Sequence, residues 1–176
     1  MGSFDRLVRI EIAGLLLLAL SLPAFAERVK LPHGWRMPTS LETNDDWRKK
    51  DPEKYLIVRG DFNGDGVMDQ AMLLVSVEGR GLALFAFLSQ ANHTFKLYKL
   101  DTIKDTSSLR AMGVASVRPG TYKTACGKGY WKCKKGEVPE MTIRLDAINY
   151  FKTESANSYF YWDAKAAFFK KVWISD

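Results

Sequence analysis

Four apolar runs follow one another in the first half of the chain: YLIVRG at 55–60, QAMLLVSV at 70–77, LALFAFLS at 82–89 and TFKLYKL at 94–100. Each has the length of a β-strand, and turn-favouring residues separate them, with EGRG and QANH suited to hairpins. Three of the runs are apolar at consecutive rather than alternating positions, which predicts inner strands covered on both faces. Four such strands in succession predict an up-and-down antiparallel sheet.

After a polar passage at 101–110, strand-like runs return as MGVASVR at 112–118, MTIRLDAINYF at 141–151, SYFYWD at 158–163 and AFFKKVWI at 167–174. Within 141–151, Met141, Ile143, Leu145 and Ala147 alternate with Thr142, Arg144 and Asp146, which predicts one strand with a single buried face. The aromatic residues Tyr159, Phe160, Tyr161, Trp162, Phe168, Phe169 and Trp173 are expected to serve as core and sheet surface. The expected fold class is all-β: an antiparallel sheet domain of about seven or eight strands, blade-like and up-and-down with further strands, either a sandwich or a partial propeller. One short N-terminal helix is expected from Asn44 to Lys54, with Asn44 as its cap, Asp45 and Asp46 in the first turn, and Pro52 placed to end it early.

Ahead of all this lies an apolar run from Ile12 to Leu22, preceded by Arg6 and Arg9 and followed by Ala24-Phe25-Ala26. Those three parts predict a secretory signal peptide over 1–26, cleaved before Glu27. Glu11 and Pro23 bracket a run short of the roughly 20 apolar residues that cross a bilayer, so no membrane span is expected after cleavage. Residues 27–176 then form a single all-β domain, periplasmic or secreted, with no linker or low-complexity tract to divide it. In an oxidising compartment the two cysteines, Cys126 and Cys133, are expected to form a disulfide. Zinc is disfavoured, because no second cysteine pair exists and His33 and His93 lie far away in sequence.

Charge changes the picture in one place. The formal net charge is +6. Arg110, Arg118, Lys123, Lys128, Lys132, Lys134 and Lys135 fall between 106 and 136 with no acidic residue among them, while the flanking segments are nearly balanced. Tyr130 and Trp131 interleave with these lysines. Rings and cations on a closed loop suit an anionic ligand, by stacking and by long-range attraction. Lys123, Lys128, Tyr130, Trp131, Lys132, Lys134 and Lys135 are the candidate partner-binding residues. The expected partner is an acidic envelope polymer or an acidic protein; no specific nucleic acid is expected.

The stretch DFNGDGVMDQ, Asp61 to Gln70, joins the first two apolar runs. Asp61, Asn63, Asp65 and Asp69 occupy its first, third, fifth and ninth places, Gly66 the sixth, and Val67 offers a carbonyl at the seventh. Hard divalent cations take oxygen ligands in this arrangement, and calcium is the natural occupant. Without a cation, carboxylates about 5 Å apart repel at about 3 kcal/mol per pair for an effective dielectric near 20. An EF-hand is excluded, since its twelfth place would be Met72 and both neighbours are strand-like rather than helical. The segment Gly60-Asp61-Phe62-Asn63-Gly64-Asp65-Gly66-Val67-Met68-Asp69 resembles the FG-GAP or VCBS type of calcium-loop repeat found in integrin-like propellers. The resemblance covers about residues 55–100, in a single copy. It implies side-chain ligation of calcium by Asp61, Asn63, Asp65 and Asp69, with the Val67 backbone completing the set. The alternative is a metal-free Asx-rich turn whose side chains bond their own backbone.

No nucleophile–base pair, paired carboxylates outside the loop, or phosphate-cradling glycine motif is visible, so no enzyme activity is expected. The expected function is that of a non-catalytic β-domain, stiffened by calcium, that binds an acidic partner. Two alternatives stand beside it: a periplasmic inhibitor or immunity-type protein against an envelope hydrolase, and a hydrolase with an unrecognised site.

Overall fold

Every strand-like run from 55 onward pairs into antiparallel sheet. The computed structural model describes residues 29–48, 51 and 53–176; the expected signal peptide lies outside them. The first half holds β1 (Trp35–Arg36), β2 (Ile57–Gly60), β3 (Asp69–Ser76), β4 (Leu82–Ser89) and β5 (Phe95–Ile103). From β2 to β5 the strands are successive antiparallel neighbours, and the short β1 shares with β2 the outer edge of β3. Hairpins at EGRG and QANH make the connections, with Gly79 (φ 70) and His93 (φ 60) in the left-handed region that tight turns demand.

The second half holds β6 (Met112–Val117), β7 (Gly120–Lys123), β8 (Glu140–Ile143), β9 (Ala147–Lys152), β10 (Asn157–Asp163) and β11 (Phe168–Ser175). A second sheet runs in the order β11-β10-β9-β6, and β7 pairs with β8 as a separate ribbon. Both sheets share one core: Leu73, Val75, Leu84 and Leu88 of the first cluster with Val114, Ile148, Phe160 and Phe169 of the second. Burying each such side chain contributes about 1.5–3 kcal/mol. On the other face of the first sheet, Met72, Leu74, Phe85 and Phe87 are covered by Val29, Leu31, Trp35 and Met37. That double coverage is why β3 and β4 are apolar at consecutive positions.

Two expectations change. In place of a helix over 44–54, the described residues contain only a 3₁₀ turn at Asp46–Arg48, continued by hydrogen bonds of the same short reach from Asp51 N to Arg48 O, Lys54 N to Asp51 O and Leu56 N to Glu53 O. Proline at 52 has no N–H for an α-helical bond. Arg48 is the stronger constraint. Its side chain is 1 % exposed and donates to the carbonyls of Lys54, Leu109 and Met112 and to Asp45 Oδ2, so the turn is built around one buried guanidinium. Tyr55 follows with φ 64, a left-handed conformation costing a non-glycine residue about 1–2 kcal/mol. Its carbonyl accepts from Val114 N at 2.8 Å, tying the approach to β2 to the second sheet.

The run 141–151 is not one strand. It breaks at 144–146 into β8 and β9, which belong to different sheets. The predicted phase survives, with Ile143 and Ala147 both buried, but Leu145 and Asp146 turn toward the loop between β2 and β3, where both make contacts.

Candidate metal loop and basic disulfide loop

Gly60 pairs with Asp69 at the ends of β2 and β3, so residues 61–68 form the loop of one hairpin. Gly64 (φ 79) and Gly66 (φ 81) take the left-handed conformation that lets so short a segment coil on itself. The side chains organise the coil. Asp61 Oδ1 accepts from Gly64 N at 2.8 Å and Asp65 N at 3.1 Å, while Asp61 Oδ2 accepts from Gly66 N at 2.9 Å. Asn63 Oδ1 accepts from Asp65 N at 3.1 Å, and Asp65 Oδ1 from Val67 N at 2.8 Å. Asn63 Nδ2 donates to Asp65 Oδ2 at 2.8 Å.

Asp69 differs from the others. It is fully buried, and its two oxygens accept from Phe62 N at 3.0 Å and Ser89 N at 2.8 Å, locking the loop to β4. Burial, reinforced by the charges of Asp65 and Asp61 and opposed by those two N–H groups, pushes its carboxyl up to about 6. Among the described residues no lysine or arginine forms an ion pair with Asp61, Asp65 or Asp69.

The loop rests on the break between β8 and β9. Asp146 Oδ2 accepts from Asp61 N at 3.2 Å. A Cβ on Gly60 would stand 2.9 Å from Asp146 Cβ, and one on Gly64 would stand 2.9 Å from Leu145 Cδ2. Nothing in the loop itself points to residues so distant in sequence, and Asp146 falls in the polar phase of the alternation over 141–147, so it gave no signal there.

Asp61, Asn63, Asp65 and the exposed Val67 thus lie in this one loop, and Asp69 opens β3 at its end. As they stand, the side chains form the Asx-type network, and among the described residues no three acidic, histidine or cysteine groups converge in a metal-holding cluster. The donor set still suits calcium. It is made of oxygen throughout, a carboxylate carries about four lone-pair sites of which the backbone uses between one (Asp65) and three (Asp61), and ligating carboxylates are themselves held by hydrogen bonds.

The basic segment forms a second loop, at the edge of the second sheet. Cys126 and Cys133 form a disulfide, Cα–Cα 5.0 Å. Ala125 N donates to Trp173 O at 2.8 Å, so the loop continues from the edge strand β11. Lys123, Lys132, Lys134 and Lys135 are exposed, and Tyr130 is 53 % exposed. Two of the expected residues are engaged by the protein itself, although Lys128 stays exposed. Lys128 Nζ donates to Ile174 O at 2.9 Å. Trp131 donates its Nε1–H to Glu137 Oε2 at 3.1 Å and lines a cavity of about 160 Å³ with Met141, Tyr161 and Trp173. Glu137 also accepts from Lys134 N, and those donors, the backbone N–H first, hold its carboxyl below the usual range. Its charge is engaged within the loop by these donors and by the nearby Lys134 ammonium.

Comparison of the chain with models of protein families, with curated proteins and with solved structures found no match.

Proposed function

We propose that this chain is a secreted or periplasmic binding module without catalytic activity, in which the Asp61–Asp69 loop holds calcium and the disulfide loop binds an acidic partner. The single observation behind the binding role is the segregation of charge: Lys132, Lys134 and Lys135 stand exposed in and beside the cross-linked loop, where the carboxylate of Glu137 is already engaged, while Lys123 lies on β7 opposite Glu140. Clustered exposed ammonium groups attract polyanions over roughly one Debye length, about 8 Å at physiological salt.

Calcium belongs to the reading for a separate reason. Folding buries Asp69 beside two further carboxylates with no lysine or arginine among the described residues paired to them, and a divalent cation supplies that offset. Asp61, Asn63, Asp65, Asp69 and the Val67 carbonyl would hold it. Its part is structural, fixing the hinge between β2 and β3 and, through Asp146 and Leu145, the junction of the two sheets.

Retention on immobilised polyglutamate tests the binding role. The protein is expected to bind at low ionic strength and to elute with added salt, and a Lys132→Gln, Lys134→Gln, Lys135→Gln variant should elute much earlier, with affinity reduced about tenfold. Failure of the unmodified protein to bind at low salt would remove the acidic-partner reading.

A further inference from the structure

The second sheet leaves half of its outer face uncovered beside the disulfide loop. The β7–β8 ribbon covers the other half, over Tyr159, Tyr161 and Ala147. The uncovered half is an open trough of about 680 Å³. One cross-strand row, Gly113, Phe151, Asn157 and Ser175, runs across all four strands, and Ala115 and Asn149 stand in the next. Side chains in such rows share a face and touch.

Phe151 does not stand upright in its row. Its Cζ lies 2.4 Å from where a Cβ on Gly113 would be, so the ring folds down over the neighbouring strand, a posture that only glycine at 113 permits. Tyr55 and Trp47 form the wall behind it, with ring centroids 5.5 and 6.1 Å from that of Phe151, and stack on each other at 5.4 Å. The Trp47 indole is anchored by its bond to Arg110 O at 2.8 Å. Tyr55 keeps its left-handed backbone at this spot, and such outliers concentrate where a ligand is held.

The polar floor is oriented as well. Ser175 Oγ donates to Asn157 Oδ1 at 2.5 Å, and Asn157 Nδ2 donates to Asn149 Oδ1 at 3.3 Å. This relay orients both amides, with the Asn149 oxygen toward Asn157 and its NH₂ group on the other side of the amide. Lys128 closes the opposite end, with one ammonium donor on Ile174 O and two remaining. An aromatic ring lying in the floor, amide donors beside it and a cation at the end match a pyranose: its C–H face packs on the ring and its oxygens accept from the amides. The lysines beyond Lys128 extend the positive end into the disulfide loop.

We propose that this trough binds an acidic polysaccharide, with a sugar ring over Phe151, its hydroxyls on Asn149 and Asn157, and a uronate carboxylate toward Lys128. The assignment rests on the acidic-partner reading of the disulfide loop and names the partner's chemistry. Calorimetric titration with an oligomer of galacturonic acid, and with oligoglutamate of matched charge, separates the two. The uronate oligomer is expected to bind about tenfold more tightly than oligoglutamate, and Phe151→Ala should remove that advantage while leaving oligoglutamate binding unchanged. Because Phe151→Ala also removes packing against Trp47 and Tyr55, Asn149→Asp provides a second variant. It sets a carboxylate in the floor, away from the core, and should weaken the uronate at least tenfold. Equal affinities for the two oligomers, unaffected by either variant, would overturn the sugar trough and leave the basic loop standing. Binding of neither would overturn both.

Discussion

In calcium-free buffer the thermal midpoint should fall as pH rises from about 4.5 to 7, the reverse of ordinary acid unfolding. Asp69 is the cause. Its carboxyl titrates near 3.8 when unfolded and is raised to about 6 in the folded protein, mainly by burial. Below the lower value both states are protonated and folding carries no penalty. Between the two values the folded state holds a proton that the unfolded state has released, so stability declines with rising pH, and the loss is complete once pH passes the folded value. A shift of about two units corresponds to roughly 3 kcal/mol, or some 6–12 °C in a domain of this size.

Calcium should cancel the decline, because a bound cation favours the ionised carboxylate. At a hundredfold excess over its dissociation constant it should raise stability by about 2.7 kcal/mol at neutral pH. Asp69→Asn should flatten the pH dependence in chelator, and Asp65→Ala should abolish the response to calcium. Melts at four pH values, in chelator and in calcium, check all of this. Identical midpoints with and without calcium at pH 7.5 would remove the metal from the loop. A slope in Asp69→Asn equal to that of the unmodified protein would remove Asp69 as its origin.

Replacing Arg48 by methionine should cost about 3–5 kcal/mol, measured by urea unfolding. The guanidinium is 1 % exposed and gives the carbonyls of Lys54, Leu109 and Met112 a donor that no apolar side chain supplies. Each buried acceptor deprived of its partner costs about 1–3 kcal/mol, and the Asp45 carboxylate loses its ion pair as well. Burial pulls the Arg48 guanidinium below its ordinary value, but arginine keeps its charge at any usable pH. Lysine should rescue little, since one ammonium cannot reach acceptors spread around a planar fork. Trp47 fluorescence should change with it, because the Arg48 guanidinium lies 3.9 Å from the indole centroid. A loss under 1 kcal/mol for Arg48→Met would mean that water replaces the side chain at those carbonyls.

Much of the architecture was legible along the chain because strand burial is a local pattern. Two apolar neighbours in succession on β3 and β4 require cover on both faces, and the second sheet with the 29–37 segment provides it. The close pair of cysteines marked the disulfide. The expected strand over 141–151 shows the limit of local pattern, since Leu145 and Asp146 keep the alternating spelling of a strand while serving as a seat for the acidic loop. The helix expected over 44–54, part of which (49, 50 and 52) lies outside the described residues, is not shown among the rest of that span. Asn, Asp and late basic residues spell a helix, but one arginine gains more by reaching three carbonyls, two of them some sixty residues away.

By itself, then, the sequence determined the all-β class, the succession β2-β3-β4-β5 within the first sheet, the acidic loop and the basic segment, because periodicity, turn chemistry and charge are written in neighbouring residues. The tertiary structure alone decided what those loops rest on: Asp146 under the acidic loop, Ile174 beneath Lys128, and the folded-down Phe151 over Gly113. Such contacts join positions far apart in the chain, and their energies depend on the register and packing of two sheets, which no local pattern encodes.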